Sequence, residues 1–375
     1  GRLDLTGRRV EFARLDVDLP GARAELAGRL ALEQTDAGLR PSIRLAGPIQ
    51  GQLTKSDILR HWPVDFALGA RDWVRDSILD GDLSNARLDM DIPAEALAAR
   101  FIEDEHLNLS FEFTDADVRY MPTMTALTGL SGEAVLRGNS LSLTGRGGAI
   151  GTMEIDTIFV EAPQLNPKGA PARFGGTGRG SVQSVLSLLA QPPLDLDESY
   201  GIDPDAFGGE GMMSFEISRP MRRTVPPEDL GYSASGRFEN VSAPSGFDAV
   251  RLENGVVEIS ADETGLTAEG EADLAGARTE LVWRETFGLG ESADSSQVRL
   301  STRMTARGLD QLGLPLRRFL DGSVGVDGVI TGRGFEFRTV ALELDLLDAA
   351  VALPAELWDK APGEPAQAAF EAEFP

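Results

Sequence analysis

Apolar and polar residues alternate with a period of two along most of the chain. In 107–114, Leu107, Leu109, Phe111 and Phe113 alternate with Asn108, Ser110, Glu112 and Thr114. That pattern gives a strand one apolar and one wet face. It recurs at Ala24, Leu26, Gly28, Leu30 and Leu32, at Leu88, Met90 and Ile92, and at Leu141 and Leu143. It returns at Met213, Phe215 and Ile217, at Val298, Leu300, Thr302 and Met304, and at Val340, Leu342, Leu344 and Leu346. One-sided apolar strands imply antiparallel pairing rather than a parallel sheet buried on both faces.

Gly, Asn and Asp turn signals separate these runs, as in 131–155 and 253–283, at the spacing of about 8–12 residues expected of meandering hairpins. The repeat is structural and has no fixed period. About 20 strands are expected on that spacing. At about 4.8 Å between neighbours, one continuous sheet of that size would approach 100 Å, so it must curl, split or close. The expected fold is mainly β: long antiparallel, strongly curved sheet or sheets forming an elongated groove or an open-barrel-like taco, with a few short helices.

Helical periodicity is confined to islands. In 67–80, Ala70, Trp73, Val74 and Ile78 share one face. Further islands are 94–102, 182–190 (stopped by Pro192 and Pro193) and 308–320 (interrupted by Pro315). The segments 193–208 and 218–230, rich in Pro and charge, place a boundary near residue 210. The expected organisation is a β-groove segment over 1–210, with helices near 55–80, 94–102 and 182–190. A second β-groove segment, over 211–375, carries a helix near 308–320; the alternative is one continuous structure.

Charge and composition narrow the function. The 375 residues include 35 Lys and Arg against 60 Asp and Glu, a formal net charge of −25. Such a surplus of acid disfavours nucleic acid, whose phosphates need basic residues to displace counterions, and simple attraction to anionic lipid headgroups. With no cysteine, disulfides, thiolate metal sites and cysteine nucleophiles are excluded; that absence suits a reducing cytosol or a periplasm. His61 and His106 are the only histidines, which leaves little for imidazole chemistry. No run of 18 apolar residues and no charged-then-apolar leader occurs, and both ends read as cut from something longer.

Local motifs add little chemistry. GGTGRGS at 175–181 precedes a helix but lacks the Gly-Lys-Ser/Thr ending of a phosphate loop, and reads as Gly-rich strand and turn. The acidic run Asp195, Asp197, Glu198, Asp203 and Asp205 invites calcium. Counted from Asp195, however, an EF-hand's Gly and Glu positions hold Tyr200 and Ala206, so a solvated loop is the better reading. His61, beside Trp62, reads as packing or capping. No nucleophile signature such as Gly-x-Ser-x-Gly is present. Neither an enzyme, a metal centre nor a cofactor is expected.

The alternating faces remain. Each strand alone is explained by a sandwich core, but few helices are available to cover so much sheet. An apolar face without a protein partner marks a binding site, and this one suits acyl chains, held at about 0.8 kcal/mol per buried methylene. The residues read as its candidates are Leu107, Leu109, Phe111, Phe113, Leu141, Leu143, Met153, Ile155, Phe215, Ile217, Val298, Leu300, Met304, Leu342, Leu344 and Leu346. The competing reading is a structural or assembly factor of the envelope built from closed sandwiches.

Several segments resemble a known family. ILRHWPVDFALGARDWVRDSILDGDLSNARLDMDIP at 58–93, with its Trp-Pro and Arg-x-Trp elements, is similar to the AsmA-like envelope proteins of the YhdP type. So are 111–143, 178–194, 312–332 and 344–370, in the family's order across nearly the whole chain. The resemblance implies a bridge-like lipid-transfer protein of the Gram-negative periplasm. Such a protein is anchored to the inner membrane outside this segment and carries phospholipid along an apolar β-groove toward the outer membrane. It implies phospholipid as the partner, other envelope proteins as further partners, and no catalytic residues; groove positions do not transfer one by one.

Overall fold

The computed structural model describes residues 2–4, 8–36, 38–62, 67–99, 101–192, 202–222, 225–226, 229–246, 250–290, 293–334, 336–354 and 358–374. Among the described residues, strands make up 63% and the α-helices are five and short, so the fold is mainly β, as the alternation requires. The chain divides into two units. The first comprises Gly1–Gly178 with Glu216–Gly231, the second Arg179–Phe215 with Tyr232–Pro375. Two of the divisions, at 178/179 and 215/216, fall inside strands; residues 193–201 of the Pro- and Asp-rich stretch lie outside the described residues.

The first unit is an antiparallel meander. Its strands are β1 (Arg2–Asp4), β2 (Arg9–Leu19), β3 (Ala22–Thr35), β4 (Gly38–Thr54), β5 (Ile78–Ile92), β6 (Leu107–Val118), β7 (Leu127–Arg137), β8 (Leu141–Arg146), β9 (Ala149–Ile150) and β10 (Met153–Ala162). Each strand from β1 to β7 pairs with the next, β9 pairs with β7, and β10 pairs with β8 and β9. The register lines apolar residues up across strands. One row runs Phe12, Gly28, Leu45, Met90, Leu107. Another runs Leu88, Leu109, Leu136, Leu141, Ala162. The intervening rows are wet: Asp89, Asn108 and Arg137 lie opposite one another.

Bulges interrupt the ladders where a residue adopts positive φ. Asn85 (φ 48°) sits in the register shift between Ser84 and Arg87, and Asp115 (φ 50°) in that between Phe113 and Ala116. Short polar side chains tolerate this left-handed backbone, and each bulge strengthens the local twist. The strands β11 (Pro171–Ser181) and β12 (Gly208–Pro220) contain two of the three unit boundaries. GGTGRGS lies in β11, so its glycines belong to a strand, as read.

Helices stand at strand ends. α1 (Lys55–His61) begins at Thr54, whose hydroxyl accepts from the Asp57 amide at 3.3 Å while Asp57 accepts from the Thr54 amide at 3.2 Å, a capping box. α2 (Leu68–Ser77) and α3 (Ala94–Ala99) are the other α-helices among this unit's described residues. Pro63 lies outside the described residues.

The second unit contains α4 (Val182–Leu189), capped by Ser181, and a meander of β13 (Gly231–Pro244), β14 (Arg251–Asp262), β15 (Gly265–Leu274), β16 (Ala277–Thr286), β17 (Ser296–Thr305), β18 (Leu320–Arg333) and β19 (Glu336–Asp345). Then come β20 (Ala349–Ala352), β21 (Asp359–Lys360) and β22 (Gln367–Glu373), pairing with β18, β20 and β19 respectively. The helix expected over 308–320 is instead α5 (Ala306–Gln311), capped by Thr305. It stops early because Gly313 turns left-handed at φ 87° and Pro315 has no amide to donate.

This unit has a sealed core. Leu300, Met304, Leu309, Val324, Val326, Ile330, Leu342 and Leu344 pack with Leu320, Ala349 and Val351, and Leu309 and Val324 are 0% exposed. α5 closes it from one side: Ala306, Gly308 and Leu309 are its buried residues.

Candidate apolar binding face

The first unit leaves its apolar face only half covered. Leu107, Leu109, Phe111, Leu141 and Leu143 are all half-buried, as are Leu45, Leu88, Met90, Leu136 and Val160 beside them. At the N-terminal side the same face opens further, with Val10 38%, Leu30 43% and Leu32 48% exposed. The helices of this unit pack on β3, β4 and β5. Rows of side chains that a sandwich would seal therefore reach solvent, across strands held in one register.

The predicted residues divide by this test. Phe113 is buried, because its ring lies over Gly132. Met153 and Ile155, on β10, are buried at 5% and 6% exposure. Ile217 is half-buried on the part of β12 belonging to the first unit, and Phe215 half-buried on the part belonging to the second. Val298 is half-buried against the second unit's core. Leu300, Met304, Leu342, Leu344 and Leu346 belong to that core itself, each 9% exposed or less. Their alternation is identical to that of Leu107–Phe113, but α5 and β20 cover them. These five are buried in the core of the second unit.

Leu45, Leu136 and Val160 were not among the residues expected on the face. The signal was present as ordinary alternation; what places them there is cross-strand register, which no single strand reveals.

The opposite face is a lattice of exposed charge. Arg173 spans two strands, bonding Glu161 at 2.8 Å and Glu216 at 2.9 Å, and its guanidinium lies 5.6 Å from the Phe159 ring centroid. The hydrogen bond from Arg173 holds the Glu216 carboxyl below the usual range, and that from Arg14 does the same for Asp16.

Several polar groupings gather at strand ends and turns. A cavity is lined by Asp89, Asp91, Asp104, Glu105, Asn108 and Arg137. Within it, the Asp104 carboxylate accepts from the Asn139 amide and the Ser140 hydroxyl, both at 2.7 Å, and so pins the β7–β8 turn. Glu103, Glu105 and His106 bring their ligand atoms within 4.8 Å of one another, with both carboxylates exposed. His61 places Nδ1 2.8 Å from the Asp57 carbonyl in the last turn of α1, a capping role in keeping with its reading. Asp195, Asp197 and Glu198 lie outside the described residues; Asp203 accepts from the Asp205 amide at 3.0 Å and starts a short turn.

Residues 1–375 match the family described as YhdP protein. No curated protein and no solved structure matches the chain.

Proposed function

The chain belongs to the YhdP family of AsmA-like envelope proteins, and from that premise we propose that its first unit binds phospholipid acyl chains. The observation that carries this reading is the half-exposed apolar face of β2 to β10. Its rows run unbroken over several strands while the second unit seals rows of the same composition. Acyl chains need no specific polar partner. Each methylene removed from water contributes about 0.8 kcal/mol, so a continuous apolar strip suffices and permits movement along it.

In this reading the protein works in the periplasm of a Gram-negative bacterium, anchored to the inner membrane by a segment outside this chain. It conducts lipid toward the outer membrane and does no covalent chemistry. The test is mass spectrometry of organic extracts from purified protein against a mock purification, followed by uptake of an environment-sensitive fatty acid. Phospholipid in proportion to protein supports the reading. A clean extract with no uptake overturns it. The sealed core of the second unit favours a second role for that unit, as a rigid scaffold in the envelope; on that reading it takes up no probe.

A further inference from the structure

Arg219 breaks the pattern of the face it occupies. Glu161, Arg173 and Glu216 are bonded together on the wet side, where Glu161 stands opposite Ser142. Alternation along β12 then turns Ile217 and Arg219 toward the apolar side. A chain of net charge −25 thus ends an apolar strand row with a guanidinium. Its Nη2 donates to the Arg222 carbonyl at 2.9 Å. Its Nε is shielded from water and has no hydrogen-bond partner among the described residues. A buried donor left without an acceptor is costly, and one on a guanidinium more so.

A second guanidinium belongs to Arg222, the residue whose carbonyl Arg219 holds. Arg222 lies flat on Gly169, where an added Cβ would come 2.8 Å from its Nη2 and 2.9 Å from its Nε. Its ion pair with Asp229 is long, at 4.0 Å, and the Arg222 side chain is 53% exposed. The next residue before Gly169 is the exposed Lys168. Among the described residues, cationic donors therefore gather at the end of an apolar row, with the Asp229 carboxylate 4.0 Å from Arg222 against them.

We propose that Arg219 and Arg222 form a seat for the phosphate of a lipid whose acyl chains lie along Ile217 and the apolar face. This rests on the acyl-chain reading above. Two guanidiniums suit a phosphate because their forked donors match its oxygens and both keep their charge. The orphaned Nε of Arg219 gains an acceptor, and the headgroup is held at the border of the face while its chains stay on it. Free phosphate offers the same chemistry.

The test compares dioctanoyl phosphatidic acid with dioctanoylglycerol, which has the same chains and no phosphate, for displacement of an uncharged fluorescent fatty-acid methyl ester from the purified chain. The wild type is expected to prefer the phosphatidic acid about tenfold, the order of one charge-assisted bond. Arg219→Gln and Arg222→Gln each remove most of that preference and leave uptake of the uncharged ester unchanged. Arg219→Lys, which keeps the charge and loses the fork, restores only part of it. Equal binding of both lipids by wild type and Arg219→Gln overturns the seat while leaving the acyl face standing. Inorganic phosphate binding that depends on Arg219, with no preference between the lipids, overturns the headgroup assignment in favour of a free anion. Failure of the ester itself to bind overturns the acyl-chain reading and the seat with it.

Discussion

Phe113 lies over Gly132. β6 and β7 pair the two residues directly, and a Cβ on Gly132 would come within 2.8 Å of the Phe113 Cζ and 2.7 Å of the Gly145 Cα. The missing side chain makes room for the ring of its cross-strand neighbour, and so Phe113 is buried while Leu109 and Phe111 on the same strand stay half-exposed.

Gly132→Ala is therefore expected to destabilise the first unit by about 1–3 kcal/mol, the usual cost of forcing extra volume into a packed position. The Thr144 carbonyl also lies in the path of the added methyl, and backbone yields less readily than a side chain. Urea denaturation of wild type and variant measures the difference. An unchanged midpoint would show that the ring is free to move aside.

Replacing Leu109 and Phe111 together by Asp is expected to abolish fatty-acid uptake while circular dichroism stays that of a folded β protein, because both side chains already reach solvent. Unfolding of this variant would instead place them in a closed core. Val324→Asp is the contrast. At 0% exposure, the carboxylate has no route to water, at a cost of several kcal/mol, and the second unit should unfold.

Truncation separates the two units in the same way. Leu309→Ala removes a fully buried side chain from the second unit's core and should cost about 2–5 kcal/mol. Leu109→Ala should cost distinctly less, since part of that side chain is wet in the folded state. Equal losses in thermal or chemical denaturation would mean the two surroundings are alike.

Lys360 is expected to act as a clamp. It is 5% exposed, and its Nζ donates to the carbonyls of Ala349 at 2.8 Å, Ala361 at 3.0 Å and Leu347 at 3.3 Å. Lys360→Met keeps the stem and leaves those carbonyls without their donor, for an expected loss of about 1.5–3 kcal/mol. The midpoint of thermal unfolding reads it out, and no shift would show water taking the place of the ammonium.

Acid should weaken the wet face. The carboxyl of Glu216 is held below its ordinary range by Arg173, and those of Asp76 and Glu271 by Arg75 and Arg278. A depressed folded-state value contributes stability above the ordinary carboxylate range of about 4, and that contribution is lost as pH falls through the lowered value. The thermal midpoint of wild type relative to Glu216→Gln should therefore be highest near neutral pH and converge below about pH 4. Comparing the two variants cancels the relief of the chain's overall negative charge, which acts in the opposite direction. A gap that does not change with pH would exclude the ion pair as its source.

The period-two alternation of Leu107–Phe113 and its counterparts settled that the chain forms antiparallel strands with one apolar face, because side-chain direction along a strand is local geometry. The order of the family's segments was likewise visible in the residues, and so was the start of α4 at Ser181. Which apolar rows are sealed was not. Leu109 and Leu342 sit in indistinguishable patterns, yet Leu342 lies in a core that α5 and β20 close, and Leu109 lies in a row left half open. Coverage depends on what distant segments do, and on a register in which Leu88, Leu109, Leu136 and Leu141 fall into line. The same holds for Arg219, a residue with no local mark, which acquires meaning from Glu216 and Arg173 fixing the side from which it is excluded. Local chemistry chose the strands; only the tertiary arrangement decided which of their faces meets water.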